Sequence, residues 1–315
     1  MMVANITHGD DVDGLTCAAF LRRLFDANVF LTNYDDLEHA LEAINPEYNS
    51  LYITDLNLRE VLIPQIKRII GFASVTIIDH HPMDPTLYSL LGSLGVHIVH
   101  DTRDCAAILV YNHFKDKLEK DAARVAVYAA VSDMFEDGPI VLKLMNGIDR
   151  KFAQHEALLL SHALAYNQST AFKERVVEEL NHYTYPHRIK GAVEFAVNQL
   201  EKIVKIKDLV KKRAFSIGRL AYMECGDDNS TGEVANIVMD TLLVPVGMCW
   251  KDQGTMVNIS LRGERGLGEH LGELITGLAQ KHGGFGGGHK RASGAKVPKD
   301  KFEDFIKDIS MVLNS

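Results

Sequence analysis

Short apolar runs recur along the first 135 residues, and segments of helical composition separate them. Residues 3–7 (VANIT), 29–32 (VFLT), 51–54 (LYIT), 75–78 (VTII) and 96–99 (VHIV) have the length and β-branched content of strands. Several are apolar throughout, as strands covered on both faces are. Helical composition occupies 15–25 and 58–71. The alternation predicts an α/β fold with a parallel sheet flanked by helices.

The pattern changes at about residue 105. From there to 213 the chain reads as helical, with Asp104 expected to cap a helix starting at Cys105 and Asp121 to cap another. Gly138-Pro139 interrupts the pattern. The stretch 188–213 is long, periodic and free of internal proline, and it ends in Lys211-Lys212-Arg213, which suits a connector. A second, smaller α/β unit follows. It has a strand over 215–223, a helix over 233–243, a hairpin of 245–250 and 255–261 around Lys251-Asp252-Gln253-Gly254, a helix over 268–282, a glycine-rich loop and a last helix over 301–313. The expected domains are therefore 1–187, a helical linker 188–213, and 214–315.

The bulk numbers narrow the function. At 315 residues, 46% hydrophobic and 24% charged, the chain has the balance of a globular protein and suits two domains. No apolar run is long enough for a membrane helix, and Met1-Met2-Val3-Ala4-Asn5 lacks the features of a signal peptide. Cys17, Cys105, Cys225 and Cys249 form no CxxC pair, so buried reduced thiols in a cytoplasmic protein are expected. A net charge of −8 is a poor footprint for long duplex DNA but leaves small phosphate substrates open.

The candidate chemistry sits at predicted strand ends, where open α/β sheets bind ligands. His8-Gly9-Asp10-Asp11-Val12-Asp13-Gly14 follows the first strand. In extended backbone Asp11 and Asp13 share a face. So many carboxylates require a cation or strong donors nearby. An EF-hand is excluded, because aligning Asp11, Asp13 and Gly14 to its loop puts Phe20 at the required glutamate. Asp55 ends the run Leu51-Tyr52-Ile53-Thr54, and Asp79-His80-His81 ends the next strand. Adjacent histidines point apart, so one is expected to bind metal and the other to face substrate. Asp133 ends an apolar helix, an unfavourable place for a lone anion. Each residue alone could be a cap or a surface charge. Together they form the oxygen-rich, nitrogen-supplemented set a two-metal hydrolytic site requires. In the second unit, Gly283-Gly284-Phe285-Gly286-Gly287-Gly288-His289-Lys290-Arg291 offers backbone N–H groups and three cationic or ionisable side chains to a phosphate, and Arg262 closes a nearby strand. The spacing is not that of a P-loop.

The order His8, Asp11-Val12-Asp13-Gly14, Asp55, Asp79-His80-His81, Asp133 resembles the four motifs of the DHH phosphoesterases, and Arg262 with Gly286-Gly287-Gly288-His289 resembles their associated C-terminal domain. Within that family the chain is similar to the nano-RNases and RecJ-type exonucleases, and less so to the family-II pyrophosphatases. The resemblance implies two domains flanking a cleft, and two Mn²⁺ ions, with Mg²⁺ or Co²⁺ as substitutes. It implies that one ion takes His8, Asp11 and Asp55. The other takes Asp13, Asp55, His80 and Asp133, with Asp55 bridging. His81 then faces the substrate, Asp79 orients a histidine, and Arg262, Gly286, Gly287, Gly288, His289, Lys290 and Arg291 form the phosphate-binding surface. His8 stands one residue closer to its DxD than in several relatives, which leaves His8 and Asp10 as alternatives at the first ion. The implied activity is hydrolysis of short oligonucleotides. The alternatives are esters of small nucleotides (3′-phosphoadenosine 5′-phosphate, cyclic dinucleotides), polyphosphate, or a nucleotide-binding regulator without catalysis. Homodimerisation is left open.

Overall fold

The computed structural model describes residues 2–226 and 229–314. It divides into two compact units, Met1–Gln199 and Leu200–Ser315, and the division falls inside one 22-residue helix.

In unit 1 the order is β1 (Met2–His8), α1 (Val12–Phe25), β2 (Asn28–Thr32), α2 (Leu37–Glu42), β3 (Tyr48–Thr54), α3 (Ile63–Ile70), β4 (Ser74–Asp79), α4 (Pro85–Ser93) and β5 (His97–His100). Helices α5 (Ala106–Phe114), α6 (Asp121–Ser132), α7 (Pro139–Met145), α8 (Arg150–Tyr166) and α9 (Thr170–Asn181) follow, and α10 (Ala192–Arg213) runs across the division. All five expected strands form, in the order β2-β1-β3-β4-β5 and parallel throughout. Successive side chains alternate between the two faces. Ala4, Ile6, Leu51, Ile53, Val75 and Ile77 pack into a core with α2, α3 and α4. Val3 and Ile78 join the other core, built from α1, α5, α6, α8 and α9 with Ala192 and Ala196 of α10. A sheet covered on both faces explains why its strands read as nearly unbroken apolar runs.

The differences from expectation concern caps and short elements. Helices α2 and α4 did not stand out in the hydrophobic pattern because each is short. The segment expected to be helical over 58–71 begins as a single 3₁₀ turn, Glu60–Leu62. Asp104 does not cap α5. Its carboxylate instead accepts from Ile140 N and Val141 N in the first turn of α7, at 3.2 and 3.3 Å. Asp121 is the first residue of α6 rather than its cap.

Unit 2 continues with β6 (Phe215–Ile217), β7 (Leu220–Glu224), α11 (Thr231–Leu242), β8 (Val246–Asp252), β9 (Met256–Gly263), α12 (Leu271–Lys281), β10 (Phe285–Gly288), β11 (Ala292–Pro298) and α13 (Phe302–Leu313). Its sheet runs β10-β11-β9-β8-β7-β6, with β7 and β8 parallel and the other neighbours antiparallel. The strand expected over 215–223 is two, because Gly218 turns the chain at φ 58°. The expected glycine-rich loop is largely an edge strand, and its partner β11 was not foreseen. One face carries α12 and α13 over Leu220, Met248, Ile259 and Leu261. The other carries α11 and the residues Ile206 and Val210 of α10 over Ala221, Met223 and Cys249. All four cysteines are buried and free. No described helix is long and apolar enough to cross a membrane.

Candidate active site

The carboxyl ends of β1, β3 and β4 and the C-terminus of α6 bring one acidic cluster together, all within unit 1. His8 ends β1, and the chain turns sharply into α1. A Cβ on Gly14 would lie 2.0 Å from the His8 carbonyl oxygen, so only glycine allows this close approach. Asp11 caps α1, accepting from Gly14 N at 3.0 Å, and its other oxygen lies 2.9 Å from His8 Nδ1. Asp13 does not lie in extended backbone beside Asp11, as the DxD spacing suggested. It is the second residue of α1, buried, and its two oxygens accept from Ala106 N and Ala107 N at 2.9 and 2.8 Å. It therefore caps α5, the helix first assigned to Asp104.

Asp55 follows β3 with φ 56°, a left-handed conformation unusual for a residue other than glycine. It caps no helix. Its side chain lies between two imidazoles, with Oδ1 3.3 Å from His80 Nε2 and Oδ2 3.7 Å from His8 Nδ1. His80 Nε2 also faces Asp133 Oδ2 at 3.5 Å and Asp13 Oδ2 at 3.8 Å. The two histidines do not point apart, since their ring centres are 4.4 Å from each other. They differ in partners: His80 faces carboxylates, whereas His81 Nδ1 donates to Asp79 Oδ1 at 2.9 Å and its Nε2 lies 3.0 Å from the Tyr34 hydroxyl.

Three sets of donor atoms come within 4.8 Å of one another: His8, Asp11 and Asp55; Asp13, His80 and Asp133; and Asp55, Asp79, His80 and His81. Asp55 belongs to two of them. Asp55 Oδ2, Asp79 Oδ2 and Asp133 Oδ2 are buried without a hydrogen-bond partner among the described residues. Buried oxygens of this kind are costly unless a cation satisfies them, so the donor set fits divalent metal. Asp10 stands outside these sets, 2.6 Å from Lys173 Nζ. Glu136 accepts from Gln154 at 2.8 Å.

The electrostatics agree. Burial and then neighbouring carboxylates push Asp13 and Asp55 up to about 7 and Asp133 up to about 9. Burial alone would lower His8, but the hydrogen bond to Asp11 and the nearby charges of Asp11 and Asp55 raise it to about 10. His80 is lowered by burial. These groups cannot all ionise together without added positive charge.

Tyr34, Lys173 and Arg59 were not singled out from sequence. Tyr34 follows the carboxyl end of β2, and applying the strand-end rule there would have flagged it. Lys173 and Arg59 carry no such signal.

In unit 2, Arg262 lies opposite Gly247 on β8 and Ala292 on β11. Its guanidinium lies against the first turn of α11, where a Cβ on Gly232 would come within 2.4 Å of Nη2. Nη1 donates to the Leu261 carbonyl at 2.9 Å, and among the described residues no carboxylate lies within ion-pair distance. Gly286, Gly287 and Gly288 pair with Ala295, Gly294 and Ser293. His289, Lys290 and Arg291 form the exposed turn that follows. Their carbonyls accept from Gly272 N, Leu271 N and Gly263 N at 3.0, 2.9 and 2.9 Å, which places this turn beside the end of β9 that carries Arg262. Close packing on β11 requires glycine at Gly284 and Gly288, where a Cβ would meet the Lys296 oxygen at 2.2 Å and the Ala292 oxygen at 2.5 Å.

Residues 218–315 match the family model of the DHHA1 domain. Over 120 residues the chain is 34% identical to an uncharacterized protein of Methanocaldococcus jannaschii, a match that covers 37% of this chain and 24% of that relative. Similar solved structures include the DHH domain of a member of the s1p family of ribosomal proteins (TM-score 0.73, 16% identity, 99% of this chain and 86% of that one). The pGpG-specific phosphodiesterase PggH of Vibrio cholerae is also similar (0.62, 12%, 100% and 99%). So is the exonuclease RecJ bound to manganese (0.62, 14%, 99% and 90%). At these identities the likeness is one of fold.

Proposed function

We propose that this chain, which belongs to the DHH phosphoesterase family and carries a DHHA1 domain at its C-terminal end, is a Mn²⁺-dependent hydrolase of phosphodiester bonds in short oligonucleotides. The observation that carries the reading is the acidic cluster itself. Carboxylates and imidazoles from three strand ends and one helix end fall into overlapping donor sets around Asp55, with buried oxygens unsatisfied. His8, Asp11 and Asp55 would hold one ion, and Asp13, Asp55, His80 and Asp133 the other. Two divalent ions, when bound, neutralise charge on the transferring phosphoryl group and acidify water.

The chain's own residues supply the rest. Asp55 lies between His8 and His80, so its two oxygens would serve both ions. Asp79 orients His81, whose ring also comes within 4.8 Å of Asp55 and whose other nitrogen meets the Tyr34 hydroxyl. Arg262 adds a guanidinium to the positive end of the α11 dipole, a favourable place for a phosphate. His289, Lys290 and Arg291 stand at the same end of that sheet. A net charge of −8 disfavours a long duplex and favours short substrates.

The test is a parallel assay of Mn²⁺-loaded protein against RNA and DNA of two to ten nucleotides, 3′-phosphoadenosine 5′-phosphate, cyclic di-AMP and pyrophosphate. Short oligonucleotides should be turned over fastest, and Asp55→Ala should lower turnover at least about a thousandfold. Near-normal turnover in that variant, with metal controlled, would rule out the bridging role.

A further inference from the structure

Tyr34 is an aromatic residue beside the acidic cluster, and its position is held from several sides. It lies in the turn between β2 and α2. There the Asn33 side-chain oxygen accepts from Asp35 N and Asp36 N at 2.9 Å each, and Asn33 Nδ2 donates to Asp36 at 2.9 Å. Arg59 Nη2 donates to the Tyr34 carbonyl at 3.1 Å. The hydroxyl is hydrogen-bonded to His81 Nε2 at 3.0 Å. The ring sits 5.0 Å from the His8 ring and 5.8 Å, edge-on, from that of His81. Even so, 37% of the residue remains exposed. A phenol needs no ring face in solvent to hold a histidine, so the hydrogen bond alone does not account for the exposed surface.

We propose that Tyr34 is a specificity residue, its tethered ring giving the base of a nucleotide a face to pack against while the phosphate occupies the acidic centre. The inference rests on the phosphoesterase reading and sharpens it: the site takes nucleoside phosphates in preference to bare phosphate esters or inorganic polyphosphate. Nucleobases stack on aromatic rings whatever their identity, because each has a π-face. A ring already fixed at its hydroxyl and at its backbone loses little freedom when a base arrives.

The experiment is calorimetric. Adenosine 5′-monophosphate and ribose 5-phosphate are titrated into Mn²⁺-loaded wild-type protein and into Tyr34→Ala, Tyr34→Leu and Tyr34→Phe. Wild type should bind the nucleotide about tenfold tighter than the sugar phosphate. Tyr34→Phe should keep that ratio, and Tyr34→Ala and Tyr34→Leu should bring it within twofold of one while leaving ribose 5-phosphate affinity unchanged. The leucine variant retains apolar bulk and covers the case in which alanine disturbs the turn. A ratio near one in wild type, a ratio unchanged by alanine or leucine, or a ratio lost in Tyr34→Phe would overturn the assignment. The measurement is of binding. A protein that shows the expected ratios yet cleaves no oligonucleotide would refute the hydrolase reading and leave Tyr34 standing.

Discussion

Gly14 sets how closely α1 can begin against the end of β1, and both metal donor sets depend on that approach. Asp11 and Asp13 lie just before it in the sequence, one held to His8 and the other buried against α5. A methyl group in its place has nowhere to go, because the nearest atom is backbone oxygen at 2.0 Å rather than a movable side chain. Gly14→Ala should destabilise the protein by about 3 kcal/mol, the upper range for overpacking. It should also weaken Mn²⁺ binding at least about tenfold. Urea denaturation and metal titration read the two effects. Gly92 in α4 is the contrasting case. A Cβ there meets nothing within 4 Å, and Gly92→Ala should be neutral or stabilise by up to about 1 kcal/mol. At this scale much of the site was legible in the sequence, since carboxylates and imidazoles at strand ends have few structural uses. What was not legible was their partners. Nothing local marks Tyr34 as the partner of His81, or Lys173, 163 residues along the chain, as the partner of Asp10.

Capping shows the same limit at the scale of elements. Asp104 sits two residues before α5 and has the sequence of a cap for it, yet the first turn of α5 is satisfied by Asp13, 93 residues before Ala106. Asp104 instead serves α7, 36 residues later. Local pattern identifies a residue that can cap but not the helix whose orphan N–H groups reach it first in three dimensions. Gly138 makes the second arrangement possible, since a Cβ there would come within 2.1 Å of the Asp104 carboxylate. Asp104→Ala should cost about 2 kcal/mol, because the cap is removed and buried N–H groups lose their partner. The number of Mn²⁺ ions bound should not change. A denaturation curve that matched wild type would show the carboxylate to be dispensable. The glycine run 283–288 is the reverse case. Its composition marks a flexible loop, but Gly284, Gly286 and Gly288 lie so close to the backbone of β11 that a Cβ at any of them would clash.

For the molecule as a whole, the parallel sheet was legible because its central strands β1, β3 and β4 are largely buried and so carry apolar residues toward both faces. The sheet of unit 2 was less so: β11 mixes small residues with a lysine and a proline and is separated from the glycines only by the turn His289-Lys290-Arg291. The acidic centre also links stability to pH and metal. Asp13 and Asp55, raised to about 7, and Asp133, raised to about 9, bind protons more tightly folded than unfolded, where a carboxyl titrates near about 3.9. His8, raised to about 10, does so as well. A group whose folded pKa is raised stabilises the fold at pH below its unfolded value, and that contribution is lost as pH rises through the folded value. His81 is raised as well, whereas Asp11 and His80 are lowered and work in the opposite direction only below their ordinary values. Metal-free protein should therefore lose thermal stability steadily from pH 6 to 9. A divalent ion binds the deprotonated donors, so saturating Mn²⁺ should raise Tm by an increment that grows across the same range. Thermal melts in chelator and in Mn²⁺ at half-unit pH steps measure that increment. Two curves that ran parallel would mean that protons and metal do not compete for these side chains, and the ion pair would then have to be sought elsewhere in the chain.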